Sequence, residues 1–207
     1  MNIEDAAVRS FDGVASRIDS AGLRNIGFTS ALLGEGVSTL ALGTALSLAT
    51  LRRESVLLVD ANWLEPSLSR DAGLARTPGL AECLAGKMQF TTAVQTSGCP
   101  WLSFLPSGDP SVSRPTLRTL SSLFTSDTDA FRTVVIDLPP VLAGEAFVLP
   151  FAALLHQLFV VVREAATPLP LARQALEKVA SATPQVILNR VPAPSAHAAA
   201  QLAAART

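Results

Sequence analysis

Six short apolar runs punctuate the chain: Asn25-Ile-Gly-Phe-Thr29, Val56-Leu-Leu-Val59, Trp101-Leu-Ser-Phe-Leu105, Val134-Val-Ile136, Leu158-Phe-Val-Val-Val162 and Val186-Ile-Leu188. They are continuous rather than alternating, and several are β-branched. A half-exposed strand would alternate apolar with polar, so these runs read as strands covered on both faces of a parallel sheet. Between them lie segments of helical spacing or composition: residues 38–51, 78–85, 115–124, 144–155 and 169–182. Parallel neighbours need a crossover, which a helix supplies. The alternation therefore predicts right-handed βαβ units and an α/β domain of three layers around a mostly parallel central sheet.

Residues 1–20 read as a helix preceding the first strand, with Val8, Phe11, Val14, Ala15 and Ile18 at helical spacing. Residues 21–191 form the expected domain, and 192–207 an Ala-rich tail. With 49% apolar and 16% charged residues among 207, the chain can bury a core and is not a solvating linker. Sixteen basic residues face seventeen acidic ones. No net field draws in nucleic acid or an anionic membrane, which argues against a DNA-partitioning role. Cys83 and Cys99 are far apart without a CxxC, which fits a reducing compartment. The acidic opening, Glu4-Asp5, shows no export pattern, so a cytoplasmic location is expected. The greasiest stretch, 146–162, is broken by Pro150 and His156-Gln157 and reads as a buried helix followed by a buried strand. His156 is expected to be a local loop or core residue, and Trp63 to be buried at an interface.

The chemistry concentrates after the first strand, in Phe28-Thr-Ser-Ala31-Leu-Leu-Gly34-Glu35-Gly36-Val37-Ser38-Thr39. A strand, a Gly-containing turn and a helix make a phosphate-binding loop. The glycines let backbone N–H groups converge on an anion, and the helix adds its free N-terminal amides and positive dipole end. A hydroxyl at the second helical position, Ser38, suits Mg²⁺. In the usual G-x-x-x-x-G-K-[ST], Ala31 here replaces the first glycine and Val37 the lysine. That lysine places a point charge on the outer phosphates. At about 4 Å and an effective dielectric near 20, the lost interaction is about 4 kcal/mol. Arg52, Arg53 or Arg190, folded in from elsewhere, or an arginine of a neighbouring subunit, could replace it. Two strands end in aspartate, at Asp60 and Asp137. Ligands gather beyond the carboxyl ends of parallel strands, so the pair suits a Mg²⁺–water shell or an attacking hydroxyl. Alternatively, each aspartate caps its following loop.

At these residues the chain resembles the cytosolic P-loop domain of bacterial tyrosine kinases, within the MinD/ParA-like ATPases. Thr29-Ser-Ala31 through Gly34-Glu-Gly36 and Ser38-Thr39 resembles T-S-A-x-P-G-E-G-K-S-T. Val56-Leu-Leu-Val-Asp60-Ala61 with Pro66-Ser67-Leu68 resembles V-L-L-V-D-A-D-x-R-x-P-S-L. Pro78-Gly-Leu80 with Leu84-Ala-Gly86, Leu105-Pro-Ser-Gly108 and Val135-Ile-Asp137-Leu-Pro-Pro-Val-Leu142 follow in the family's order, as does Ile187-Leu-Asn189-Arg190-Val191. The resemblance implies a P-loop fold. It implies that Gly34, Glu35, Gly36, Val37, Ser38, Thr39, Asn189 and Arg190 surround a nucleotide. Ser38, Asp60 and Asp137 would serve the metal, with Asp60 and Asp137 catalytic. It implies a role in exopolysaccharide or capsule synthesis, with a membrane chain-length (co-polymerase) protein or an active kinase paralogue as partner, and a position peripheral to the inner membrane through that partner.

The departures matter as much. Asn62 stands at the second acidic position, Leu64-Glu65 replace the arginine that follows, and Glu145 takes the place of a frequent Asp after P-P-V-L. Of the helix motif E-x-x-R-x-x-R, Ala6, Arg9 and Asp12 keep one residue, so the resemblance does not carry ring assembly. The chain has no tyrosine and cannot phosphorylate itself on one. The expected function is therefore a pseudo-kinase that regulates polysaccharide synthesis or export through protein partners. The competing reading is a non-standard ATPase, or a tyrosine kinase acting in trans with ATP-Mg. Whether ATP or ADP with Mg²⁺ binds weakly or not at all, and whether the chain forms a homo-oligomer, stay open at this level.

Overall fold

The computed structural model describes residues 3–72 and 77–190, with residues 3–10 and Ser126 described by backbone alone. The expected tail and Val191 lie outside the described residues. In chain order the elements are helix α1 (Ile3–Ser20), β1 (Asn25–Ser30), α2 (Val37–Arg52), β2 (Val56–Asp60), the short helices α3 (Ser67–Asp71), α4 (Leu80–Leu84) and α5 (Phe90–Ala93), then β3 (Gln95–Thr96) and β4 (Leu102–Leu105). They continue with α6 (Leu117–Ser122), β5 (Thr133–Asp137), α7 (Val141–Ala152), β6 (Gln157–Arg163), α8 (Leu169–Lys178) and β7 (Gln185–Asn189). The sheet order is β3-β4-β2-β5-β1-β6-β7. Every pair is parallel except β3 against β4. This is the mostly parallel three-layer α/β architecture that the alternating runs predict.

Successive residues of the central strands feed opposite cores. Val56, Leu58, Val135, Phe159 and Val161 join α1 and α2 on one face, whereas Leu57, Val59, Val134, Ile136, Leu158 and Val160 pack on the other against α4 to α8. The period of two is present, but both faces are apolar because both are covered. Helix α1 lies along α2, and Gly43 permits the approach: a Cβ there would fall 2.6 Å from the Phe11 ring.

Three expectations need correction. The last apolar run is β7, at the edge of the sheet among the described residues, and Val186 and Leu188 are 48% and 61% exposed rather than covered on both faces. Trp63 is buried inside this chain's own core, not at an interface. Its ring stands 5.8 Å from Phe147 and 6.3 Å from Phe151, and its Nε1–H donates to the Ser107 carbonyl at 2.9 Å. Helix α7 gains a first turn from Val141, because Pro140 supplies a fixed φ of -59° that leads into a helix; the backbone then kinks at Gly144 (φ -129°, ψ 32°), where the expected helix starts. The 146–162 stretch divides into the end of α7 and strand β6, and among the described residues no helix is long and apolar enough to cross a membrane. His156 is a local partner of β1: its backbone N–H donates to the Asn25 carbonyl at 2.8 Å, and its Nδ1 accepts the Asn25 N–H at 3.0 Å.

Candidate functional site

All the parallel strands end at one edge of the sheet, and β1 delivers the chain there into the loop before α2. Gly34 and Gly36 take left-handed φ values of 78° and 93°, a conformation that costs a residue with a Cβ about 1–2 kcal/mol. Gly36 is also sterically enforced, because a Cβ there would fall 2.3 Å from Asn189 Nδ2. No side chain caps the start of α2, and its first turn holds no acid. Its amides and positive dipole end are left facing a cavity of ≈ 260 Å³. Gly34, Glu35, Gly36, Val37, Ser38, Thr39 and Arg190 all line that cavity, together with Asn62, Glu65 and Ser67.

Val37 is 8% exposed and packs with Leu40 and Ala41 in the α2-side core. An aliphatic side chain thus fills the lysine position. Glu35, 3% exposed, turns its carboxylate back on the loop. Its Oε2 accepts the Ala31 and Leu32 amides at 2.9 and 3.1 Å, and its Oε1 accepts the Thr167 hydroxyl. The Glu35 carbonyl accepts Asn189 Nδ2–H at 2.7 Å. The end of β7 and the turn after β6 therefore brace the loop from outside. Asn189 does so through the loop's backbone rather than by facing the cavity.

Asp60 and Asp137 are register partners on adjacent strands, and both are fully buried. Their roles diverge. Asp60 organises the following segment: Oδ1 accepts the Asn62 amide at 3.1 Å, and Oδ2 accepts the Ser69 amide and hydroxyl at 2.8 and 2.7 Å. Ser69 Oγ in turn accepts the Ser107 amide at 2.9 Å. Asn62 caps the same turn, its Oδ1 accepting the Glu65 amide at 3.1 Å. Among the described residues, neither carboxylate oxygen of Asp137 has a hydrogen-bond partner. Burial first, and then the charge of Asp60, push its pKa well up. The Ser38 hydroxyl lies close enough to pull the other way, without the geometry of a full hydrogen bond. Ser38 Oγ accepts the Ser67 hydroxyl at 3.0 Å.

A buried carboxylate with both oxygens free, beside a hydroxyl and under an amide-lined loop, fits a divalent cation accompanying a phosphate. Asp137 and Ser38 have that donor character, whereas Asp60 already commits both its oxygens to the loop that follows it. Arg52 lies at the opposite end of α2, paired with Asp19 and Glu54, and Arg53 caps that same end. The structure also brings in Thr167, Ser69 and Ser107, which sequence reasoning missed. Thr167 and Ser69 act through hydroxyls outside any motif, and Ser107, inside the Leu105-Pro-Ser-Gly108 run, acts through its backbone amide, a role that residue type does not reveal.

No protein-family model matches the chain. It is 33% identical over 125 residues to tyrosine-protein kinase YwqD of Bacillus subtilis (strain 168). That match takes in 58% of this chain and 52% of the relative, so the chain spans about half of that protein's length. The VpsO kinase domain superposes with a TM-score of 0.78 over 91% of this chain and 96% of its own, at 26% identity. The kinase domain of Escherichia coli tyrosine kinase ETK reaches 0.81 over 94% and 80%, at 20% identity. A more distant structure, MinD from Pyrococcus horikoshii complexed with Mg-ADP, reaches 0.64 over 84% and 75%, at 19% identity.

The sheet and the loop give the chain a P-loop NTPase-like α/β fold, a class of structure that it shares with these neighbours. Within that class, its likeness in sequence and in structure is to the kinase domains of bacterial tyrosine kinases.

Proposed function

We propose that this chain is a catalytically degenerate relative of bacterial tyrosine kinase domains, a pseudo-kinase that regulates exopolysaccharide or capsule synthesis or export through protein partners. Those partners are a membrane chain-length protein or an active kinase paralogue, and the chain works in the cytoplasm, held at the membrane by its partner. The observation that carries the reading is Val37, an aliphatic residue packed into the core where the loop's fixed cation belongs. Two facts support it: Asp60 is engaged in shaping its own loop, and the chain has no tyrosine to modify.

A nucleotide with Mg²⁺ would supply the transferable phosphoryl group and the charge that neutralises it. This chain's own contributions are separable. The α2 amides orient an anion, Gly36 lets Asn189 brace the loop, and Asp137 with Ser38 would hold the cation. The lost lysine charge falls on the step in which the outer phosphates gain stabilisation, so rate suffers along with binding.

A working ATPase, or a kinase acting in trans, is the second reading. The intact amide cradle and the free Asp137 oxygens favour it. Steady-state ATP hydrolysis with Mg²⁺ separates the two. The regulator reading expects negligible turnover by the wild type, and a gain of about tenfold or more in nucleotide affinity for Val37→Lys. Brisk wild-type turnover that disappears in Asp60→Ala overturns it.

A further inference from the structure

We propose that Arg190 supplies, from the end of β7, the phosphate-facing cation that the loop lost at position 37, so that the cavity takes a nucleoside di- or triphosphate. This rests on reading the cavity as a nucleotide site and says how such a site works without its lysine.

Arg190 is the one basic residue among the described residues lining the cavity. Of the two acids there, Glu35 spends its carboxylate on the loop's own amides and on Thr167, which leaves Glu65 as the other charge. Arg190 is in no ion pair among the described residues. Arg163, the register partner of Asn189, does not line the cavity.

The backbone at Arg190 is tethered to the loop. Asn189 Nδ2–H donates to the Glu35 carbonyl at 2.7 Å, and Asn189 Oδ1 accepts the Arg190 N–H at 2.8 Å. The Asn189 carbonyl accepts the Glu164 amide at 3.0 Å. Gly36 admits this clamp by lacking a Cβ. The chain then turns through a left-handed φ of 58° at Arg190, uncommon for a residue with a side chain. The outcome is an arginine whose backbone is anchored one residue from the loop brace. Its planar fork suits phosphate oxygens, which it can meet in pairs. A lysine at position 37 would reach the phosphates from the helix side; Arg190 reaches from the strand side, so one charge substitutes for the other across the same cavity.

Calorimetric titration of the full chain with ATP, ADP and AMP, each with Mg²⁺, tests this. The wild type binds ATP and ADP. Arg190→Ala weakens both roughly ten- to hundredfold, the range for a hydrogen bond to a charged group, and leaves AMP unchanged. Arg190→Lys keeps part of the affinity, and adding Val37→Lys to Arg190→Ala restores it. Arg190→Gln gives the same reading if the alanine variant does not fold. Equal ATP and ADP affinity in wild type and variant overturns the assignment, as does an equal loss for AMP, which would put Arg190 at the base. A wild type that binds none of the three also overturns it and leaves the regulator reading standing. Brisk hydrolysis that depends on Arg190 does the reverse.

Discussion

Replacing Gly36 with alanine probes the brace between β7 and the phosphate loop. Two costs arise separately. The residue sits at φ 93°, where a Cβ costs about 1–2 kcal/mol. The new Cβ also falls 2.3 Å from Asn189 Nδ2, so Asn189 must move and give up its bond to the Glu35 carbonyl. Losing that bond costs about 0.5–1.5 kcal/mol. Gly36→Ala should therefore destabilise the chain by about 1.5–3.5 kcal/mol, which for a domain of this size lowers Tm by about 3–14 °C. Asn189→Ala alone should cost the hydrogen-bond share together with the exposed bond that Asn189 Oδ1 accepts from the Arg190 N–H. In the Asn189→Ala background, Gly36→Ala meets no obstacle and costs the backbone share alone. Urea denaturation of the four proteins closes the cycle, with an expected coupling of about 0.5–1.5 kcal/mol. If Gly36→Ala costs the same in both backgrounds, the clamp does not exist as described.

Two further perturbations report on buried ionisable groups. Asp137 holds its proton well above the ordinary carboxylate range, through burial first and the charge of Asp60 second, with the Ser38 hydroxyl opposing. In the window from an ordinary carboxylate pKa of about 4 up to its raised folded value, the native state keeps a proton that the unfolded chain has released. Its contribution to stability therefore falls as pH rises through that window. Denaturation of wild type and Asp137→Asn in chelator should show the wild type losing ground relative to the variant with rising pH, and a relative gain would refute this. Cys83 has its pKa pushed up to about 11, by burial and then by the charges of Glu82 and Asp127. Alkylation near neutral pH, followed by mass spectrometry, should modify Cys83 roughly a hundredfold more slowly in the native than in the urea-unfolded chain, since only the thiolate reacts. Equal rates would contradict the burial argument.

The chemical character of the site lies in a separation of tasks. Glu35, Asn189 and Thr167 hold the loop's shape, Asp60 holds the next loop, and Asp137 alone keeps unspent carboxylate oxygens beside Ser38. A scaffold can keep the first two tasks while phosphoryl transfer decays, because they depend on hydrogen bonds within the protein and not on charge delivered to a phosphate.

What the sequence determined is what local patterning controls. Continuous β-branched runs specified six strands and their parallel order of connection, since both faces of each central strand must be apolar. Spaced glycines before a helix specified the loop, and the absence of lysine at Val37 and of any tyrosine were read directly. The tertiary structure decided everything that depends on neighbours distant in the chain. It made Gln95–Thr96 a seventh strand, because two polar residues become a strand only when β4 offers them partners. It left β7 half exposed at the edge, and it put Trp63 inside the core. It split two aspartates alike in sequence context into a loop organiser and an acid without hydrogen-bond partners among the described residues, because Ser69, itself held by the Ser107 amide, reaches one carboxylate and not the other. Arg190 comes beside the loop by the same rule: 152 residues of chain lie between it and Val37, and only the packing of β7 beside β6 closes that gap.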